Sequence, residues 1–222
     1  MPSLMPIATP AQRVRAWLSM QLVDHGFVRA IYNNFYDIGG GLYRCSQPSP
    51  KQIRHYHQRL GIRSIVNLRG PNPYGSYPLE QAVCAELGIE LIDSVLYSRR
   101  APRVDEVLRL QAAFDRMAYP ALLHCKSGAD RAGIAAALYR ILRLGHDARD
   151  ASQELGWKYG HFKQAKTGIL DFFLASYIAR QQREPIAFMT WLTEEYDWEV
   201  LESSFQDEGW ASALVDRVLH RE

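Results

Sequence analysis

Short apolar runs alternate with helical patterns through the middle of the chain. The runs have the length of strands, and the segments between them repeat apolar positions every three or four residues. The pattern predicts strands at 42–48, 62–68 and 89–96 and helices at 49–61, 77–87 and 104–117. Because strands that alternate with helices pair in parallel, the sequence predicts an α/β fold with a central, mostly parallel sheet of about 4–5 strands flanked by helices.

Further helical patterns precede and follow this alternation. Residues 11–32 place arginines between apolar side chains, with an interruption near Gly26. Two interpretations stay open for this segment. It is either a helix packed on the rest of the fold, the usual role of an amphipathic pattern, or a membrane-surface helix with Trp17 and Phe27 in the interface. Beyond residue 160, aromatic side chains recur at helical spacing and are interpreted as core contacts.

The stretch from Pro120 to Gly133 reads PALLHCKSGADRAG and joins a predicted strand to a predicted helix. A loop in this position directs backbone N–H groups and the positive end of the helix dipole into one concavity, which suits an anion. The same groups favour Cys125 as a thiolate, and Arg131 can bind two oxygens of a tetrahedral oxyanion. The stretch therefore predicts a nucleophile surrounded by anion-binding groups, because a buried, inert cysteine would not account for His124 or for the glycine and arginine that follow.

Charge and cysteine content narrow the classes of function. With 47% hydrophobic residues, 23% charged residues and a formal net charge of +2, the chain is globular, and no basic run indicates a nucleic-acid partner. Its three cysteines lack metal-ligand spacing and suit a reducing compartment. The sequence lacks a secretory pattern and an apolar stretch of about 20 residues, so we expect a cytoplasmic protein, membrane-peripheral if 11–32 lies on a bilayer.

The segment HCKSGADRAG resembles the His-Cys-x5-Arg signature of the cysteine-dependent protein tyrosine and dual-specificity phosphatase superfamily. The resemblance extends to LYRCSQP and GIRSIVNLRG, which look like the opening strand, helix and strand of bacterial dual-specificity-like phosphatases. It implies the cysteine-phosphatase fold in a single domain, 1–222, with an N-terminal helical extension at 1–38, a catalytic core at 39–160 and a C-terminal helical part at 161–222. It also implies hydrolysis of phosphomonoesters through a phosphocysteine intermediate, with no metal and no cofactor.

The resemblance assigns roles to the residues of the site. Cys125 is the implied nucleophile, Arg131 binds the phosphate, and His124 supports the loop from behind the cysteine. The implied substrate-binding residues are Lys126, Ser127, Gly128, Ala129, Asp130, Arg131 and Arg69. For Arg69, a structural ion pair stays open as the alternative.

The proton donor has two candidates. The usual donor of the superfamily is an Asp upstream of the cysteine, and Asp93 lies 32 residues before Cys125, but within a predicted strand. Asp130 matches the Cys-x-x-Gly-x-Asp-Arg variant of myotubularin-like lipid phosphatases and of some bacterial phosphatases that take phosphoinositides. A bound phosphate dianion beside Asp130 would raise the pKa of its carboxyl, as a donor requires. Asp130 is the preferred candidate, and a role in structuring the loop is its alternative.

The residue after the arginine departs from the superfamily pattern, because Ala132 stands where a Ser or Thr usually assists the second chemical step. A catalytically weak phosphate-binding module is therefore the alternative function. Lys126 and the basic loop 98–103 favour polyanionic substrates. Phosphorylated proteins and lipid or sugar phosphates both stay open as substrates, with peripheral membrane contact through 11–32 as a further expectation.

Overall fold

The computed structural model describes residues 4–207 of the 222-residue chain. It contains two compact units, the first formed by Met1–Val95 with Ala113–Ala132 and the second by Leu96–Ala112 with Gly133–Glu222. The division into a helical extension, a catalytic core and a C-terminal helical part stays a prediction.

The first unit contains the sheet. Its strands are β1 (Tyr36–Gly39), β2 (Leu42–Ser46), β3 (Ser64–Asn67), β4 (Glu90–Asp93) and β5 (Ala121–Cys125). Their order is β1-β2-β5-β3-β4, with β1 antiparallel to β2 and every other pair parallel. The predicted α/β class is confirmed. The sequence pattern did not indicate β1, whose four residues include a single buried side chain.

Ten α-helices are described between residues 4 and 207. They are α1 (Pro10–Leu18), α2 (Gly26–Ile31), α3 (Pro50–Leu60), α4 (Ser76–Leu87), α5 (Val104–Arg116), α6 (Asp130–Leu142), α7 (Ala148–Ser152), α8 (Ile169–Arg183), α9 (Phe188–Thr190) and α10 (Trp198–Asp207). Helix α3 begins with a capping box between Ser49 and Gln52 and ends at Gly61, whose φ of 68° lies in the left-handed region. None of the described helices is long and apolar enough to cross a bilayer.

The register of the parallel strands brings their carboxyl ends to one edge of the sheet. Ser46 pairs with Cys125, and Asn67 pairs with both His124 and Asp93. All five residues of β5 and all four of β3 are buried. Because ligands of parallel sheets bind outside the carboxyl ends of the strands, this edge is where a site is expected.

The segment 10–32 consists of α1, a π-helical turn (Ser19–Val23) and α2. The predicted interruption near Gly26 is confirmed, because His25 adopts a left-handed conformation with φ 57°. Ala16 and Met20, four residues apart, are buried. A face of this segment is left exposed. Its large apolar side chains are Val14, Trp17, Leu18, Leu22, Val23, Phe27, Val28, Ile31 and Tyr32.

The second unit has an aromatic core. Neighbouring ring centroids lie 5.0–6.1 Å apart, which confirms that these aromatics pack against one another as predicted. The rings are those of Phe173, Tyr177, Phe188, Trp191 and Tyr196. Of the final stretch 202–222, α10 covers the part up to Asp207, and the rest lies outside the described residues.

Candidate active site

Cys125 is the last residue of β5, and Asp130 is the first residue of α6. The residues from Cys125 to Arg131 form the connection between this strand and this helix and are called the signature loop. Cys125 is buried, with 1% of its surface exposed. The predicted strand-loop-helix arrangement is therefore confirmed, and the loop lies at the carboxyl edge of the sheet.

A buried arginine of β2 holds the back of the signature loop. Arg44 is fully buried, and its Nη2 donates to the carbonyl oxygen of Gly128 at 2.7 Å and to that of Ala129 at 3.0 Å. A guanidinium has several donors in a fixed plane, so one side chain can satisfy both carbonyls. No motif marks Arg44 in the sequence, although a charged residue inside a predicted strand of a parallel sheet was a usable signal.

Two further donors complete the support of the loop. Asn34 Nδ2 donates to the carbonyl oxygen of Ser127 at 3.0 Å, and the backbone N–H of Gln47 donates to that of Lys126 at 3.3 Å. With Arg44, four successive loop carbonyls are bonded to groups of the surrounding structure. In a planar trans peptide, the N–H of the next residue points opposite to the carbonyl. The N–H groups of residues 127–130 therefore point away from these donors.

One of these N–H groups contacts the cysteine sulfur, whereas the N–H of Ala129 donates to Ser127 Oγ at 3.4 Å. The N–H of Gly128 donates to Cys125 Sγ at 3.2 Å. An N–H donor and the N-terminus of α6 both favour a negative charge on the sulfur. Of the other two cysteines, burial raises the pKa of the Cys84 thiol to about 12 and raises the pKa of Cys45 well above its usual value.

Gly128 is required by both conformation and space. Its φ is +74°, a region that side chains rarely adopt. A Cβ at this position would lie 2.7 Å from the backbone nitrogen of Ser46 and 2.8 Å from the carbonyl carbon of Cys45. The loop therefore packs directly on the backbone of β2.

His124 is completely buried and pairs with a buried glutamate. Its Nε2 lies 2.7 Å from Oε1 of Glu80, which projects from α4. Oε2 of Glu80 accepts a hydrogen bond from Gln47 Nε2 at 2.8 Å. The contact places a buried carboxylate beside the imidazole that directly precedes the nucleophile in the chain, and the supporting role of His124 stays a prediction. The sequence carries no signal for Glu80, because α4 is apolar overall and neither of its two glutamates lies in a motif.

Arg131 is the second residue of α6 and is partly exposed. Within residues 4–207 its side chain makes no hydrogen bond or ion pair, so the guanidinium is available to an anion. Asp130 precedes it and is also partly exposed. Lys126 and Ser127 are accessible as well, whereas Gly128, Ala129 and Ala132 are buried.

Asp93 is the last residue of β4, as its sequence pattern indicated. Asn67 donates to its Oδ1 at 3.0 Å, and the hydroxyl of Tyr77 donates to its Oδ2 at 2.5 Å. The partial removal of its carboxyl from water raises the pKa of Asp93, and the charge of Glu80 acts in the same direction.

Arg69 forms an ion pair with Asp24, a residue of the N-terminal segment. Its two terminal nitrogens donate to the two carboxylate oxygens of Asp24 at 2.8 Å and 2.9 Å. Arg69 Nη1 also donates to Gln47 Oε1 at 2.8 Å. This contact is the ion pair considered as the alternative for Arg69. No motif marks Asp24, which lies 101 residues before Cys125.

In the second unit, a cavity of about 560 Å³ contains no residue of the signature loop. It is lined in part by Arg140, Lys158 and His161. His161 Nε2 lies 2.6 Å from Oδ2 of the buried Asp171. This histidine is thus held in a buried pair within its own unit.

The amino-acid sequence is similar to those of known phosphatases. The chain is 32% identical over 152 residues to the dual specificity protein phosphatase TpbA of Pseudomonas aeruginosa strain UCBPP-PA14, a match that covers 66% of this chain and 61% of TpbA. It is 29% identical over 162 residues to the inositol diphosphatase DSP4 of Arabidopsis thaliana, with 70% of this chain and 77% of that protein covered. The chain thus spans less than two thirds of the length of TpbA.

Comparisons of structure agree on the fold. The crystal structure of P. aeruginosa TpbA matches with a TM-score of 0.51 and 20% identity, covering 79% of this chain and 92% of that chain. The catalytic core of the PP-IP phosphatase SIW14 from S. cerevisiae matches with a TM-score of 0.51 and 18% identity, covering 68% and 93%. At these identities the likeness shows a shared fold.

The family model that describes a DSP-PTPase phosphatase fused to NAD+ kinase matches residues 38–168. This range is more than half of the chain and includes the whole sheet except two residues of β1, together with the signature loop. The chain therefore belongs to the DSP-PTPase phosphatase family.

Proposed function

We propose that this protein is a cysteine-dependent phosphatase that hydrolyses phosphomonoesters. The observation that carries the proposal is the signature loop, whose carbonyls are bonded by Arg44, Asn34 and Gln47 and whose Gly128 N–H donates to Cys125 Sγ. Such an array, together with Arg131, suits the equatorial oxygens of a phosphoryl group in the transition state.

The reaction would proceed in two displacements. The Cys125 thiolate attacks phosphorus, an S–P bond forms, and the P–O bond to the leaving group breaks as that oxygen takes up a proton. Water then attacks the phosphocysteine, loses a proton to a general base, and releases phosphate as the S–P bond breaks. Arg131 and the loop N–H groups offset the negative charge in both steps, and no metal is needed.

We propose Asp130 as the group that donates and then accepts the proton. It lies beside Arg131 in the signature loop, next to the groups proposed to bind the phosphate. Asp93 is the second candidate, and its raised pKa favours it. Against Asp93 stand the hydrogen bonds from Asn67 and Tyr77, which occupy both of its oxygens.

A polyanionic phosphate ester is the proposed substrate, such as an inositol or lipid phosphate. Lys126 is an accessible cation of the loop besides Arg131, with 42% of its side chain accessible. The relatives named above act, by their names, on phosphoproteins and on inositol diphosphates, and both classes therefore belong in the test. In the basic loop, Arg100 pairs with Glu106 and Arg103 stacks on Trp198 at 4.6 Å, so these two cations are already engaged within the second unit.

The alternative is a phosphate-binding module with little turnover. It is favoured by Ala132, which is fully buried and offers no hydroxyl for the second displacement. This alternative predicts binding of phosphate esters, and trapping of phosphocysteine, without multiple turnovers.

We also propose that the exposed apolar face of residues 10–32 contacts an anionic bilayer. Val14, Leu18 and Leu22 repeat every four residues on the side opposite the buried Ala16 and Met20. Between residues 4 and 32 the single carboxylate, Asp24, is buried, whereas Arg13 and Arg15 are exposed. A face with apolar side chains and exposed positive charge suits a surface of anionic lipid.

The test of the function is hydrolysis of an aryl phosphate, phosphotyrosine and phosphoserine peptides, and phosphoinositides in EDTA. We expect activity in the wild type and none in Cys125→Ser; full activity in that variant would refute the mechanism. Asp130→Asn should lose more activity on alkyl than on aryl phosphates, because an alkoxide needs the proton more. If Asp93→Asn lost more activity on alkyl phosphates than Asp130→Asn did, the proton donor would be Asp93.

A further inference from the structure

The N-terminal segment contributes a charged residue to the surroundings of the signature loop. Asp24 precedes the family match at residues 38–168, yet its carboxylate lies 3.4 Å from Nζ of Lys126, the residue after the nucleophile. The Asp24 side chain is completely buried. A segment that the family match does not include therefore contacts the loop of the site.

Packing fixes the position of Asp24. Ala16, Met20 and Asp24 recur every four residues and are all buried. The backbone of α1 approaches Gly75 so closely that a Cβ there would lie 1.9 Å from the carbonyl oxygen of Ala16. The N–H of Gly75 also donates to Ser19 Oγ at 3.3 Å. The segment thus meets the start of α4 in one defined arrangement.

Three cations converge on the single carboxylate of Asp24. Arg69 binds both carboxylate oxygens, Arg29 Nη2 lies 3.1 Å from Oδ2, and Lys126 Nζ lies 3.4 Å from Oδ1. Ser76 Oγ donates to Oδ2 at 2.8 Å. Burial alone would raise the pKa of the Asp24 carboxyl, but the hydrogen bonds and charge of Arg69, with Ser76 and Arg29, hold that pKa below its usual value. Asp24 is therefore ionised, and the three cations around it outnumber its single negative charge.

The contacts close a ring that includes the signature loop. Asp24 binds Arg69, Arg69 Nη1 donates to Gln47 Oε1, and the N–H of Gln47 donates to the carbonyl oxygen of Lys126. The side chain of Lys126 returns to Asp24. Both the backbone and the ammonium of Lys126 are thus held by one connected set of contacts.

We propose that Asp24 is a positioning residue of this site, which fixes Lys126 and Arg69 at the signature loop so that the loop binds phosphate in a preformed arrangement. The proposal rests on the proposed phosphatase function and deepens it by making the N-terminal segment part of the site. Asp24 acts through the two cations and does not itself contact the substrate, because a buried carboxylate would repel a phosphate dianion.

The test compares binding of inorganic orthophosphate by calorimetry and steady-state kinetics on an aryl phosphate. Asp24→Asn keeps the shape of the side chain and removes its charge, and we expect phosphate affinity to fall about tenfold with KM rising more than kcat falls. Asp171→Asn is the matched control, because it removes a carboxylate from a buried ion pair in the second unit. The control should change the melting temperature and leave both KM and phosphate affinity unchanged.

A double-mutant cycle separates positioning from a general loss of stability. If Asp24 acts through Lys126, Asp24→Asn should weaken phosphate binding clearly less in a Lys126→Met background than in the wild type. Additive losses would overturn the proposal. Asp24→Glu retains the charge but shifts the carboxylate by one methylene, so we expect a folded protein with weakened phosphate binding. Wild-type affinity in Asp24→Glu would overturn the proposal even if Asp24→Asn failed to fold.

Measurements on the wild type distinguish failure of the proposed phosphatase function from failure of the positioning role of Asp24. A wild-type protein that neither binds orthophosphate nor hydrolyses phosphomonoesters refutes the proposed function and, with it, the role of Asp24. A wild type that does both, with Asp24 variants that match it, refutes the positioning role alone.

Discussion

Arg44 and Gly128 together hold the signature loop against β2, Arg44 through a hydrogen bond and Gly128 through close backbone packing. The guanidinium of Arg44 donates to the Gly128 carbonyl at 2.7 Å, and the α-carbon of Gly128 lies against the backbone of β2, the strand that carries Arg44. The buried arginine and the missing side chain together set the direction of the loop peptides. Both residues lie behind the site, so their effect on chemistry is through the position of the loop N–H groups.

Gly128→Ala should inactivate the protein and destabilise it by more than about 1 kcal/mol, because the new Cβ would both occupy a left-handed conformation and collide with the backbone of β2. Gly61→Ala is the matched control, since Gly61 has a φ of +68° and a Cβ added there would meet no atom within 4 Å. Urea unfolding and aryl phosphate hydrolysis measure the two effects. Equal effects of the two substitutions on activity would contradict the role given to Gly128.

Arg44→Lys should cost about 1–3 kcal/mol in the free energy of unfolding and most of the activity, because one ammonium cannot reproduce the two hydrogen bonds of the guanidinium to Gly128 and Ala129. Arg54→Lys is the control, because Arg54 is exposed and paired with Glu86, and it should change neither the free energy of unfolding nor the activity by much. If Arg44→Lys kept wild-type activity, the loop would not depend on this arginine.

Glu80→Gln should lower kcat about tenfold, because the buried His124 loses the carboxylate that holds it beside the nucleophile. The same change should slow alkylation of Cys125 by iodoacetamide at neutral pH. Glu86→Gln is the control on the same helix, since Glu86 is exposed and pairs with Arg54. An unchanged alkylation rate in Glu80→Gln would mean that this pair does not influence the thiolate.

The stability that Asp24 provides should depend on pH. Its pKa in the folded protein lies below the ordinary value of 3.8, so the ionised carboxylate stabilises the fold above that value, and the benefit is lost as the pH falls through the lower, folded pKa. Asp24→Asn should therefore be less stable than the wild type at neutral pH, with the difference shrinking below about pH 4. Urea unfolding across this range measures the difference, and a gap that did not change with pH would contradict the assignment.

The double substitution Leu18→Glu with Leu22→Glu should abolish binding to vesicles that contain phosphatidylglycerol, because it places carboxylates in the exposed apolar face of residues 10–32. Leu108→Glu, at an exposed leucine of α5, is the control and should bind as the wild type does. Co-sedimentation with the vesicles measures binding. The double variant and the control should both retain wild-type activity on a soluble aryl phosphate. A wild type that ignores these vesicles, or that forms a dimer through this face, would refute the membrane contact.

The sequence by itself determined the α/β class and the location of the signature loop. Both are local properties: apolar runs and helical periods are written in consecutive residues, and Cys125 and Arg131 are six positions apart. The resemblance to cysteine-dependent phosphatases rested on the same short segment, and the family match confirmed it. The apolar pattern around Asp93 also predicted that this residue lies in a strand.

The tertiary structure decided what surrounds the loop. Arg44, Glu80 and Asp24 come from a strand, a helix and the N-terminal segment that are far from Cys125 in the chain, and no local pattern links them to it. Burial explains these contacts, because a buried charge must find a partner, and the partners include the loop carbonyls for Arg44, His124 for Glu80 and a set of cations for Asp24. The ion pair between Arg69 and Asp24 likewise depends on residues 45 positions apart, while the binding of phosphate by Arg69 stays a prediction.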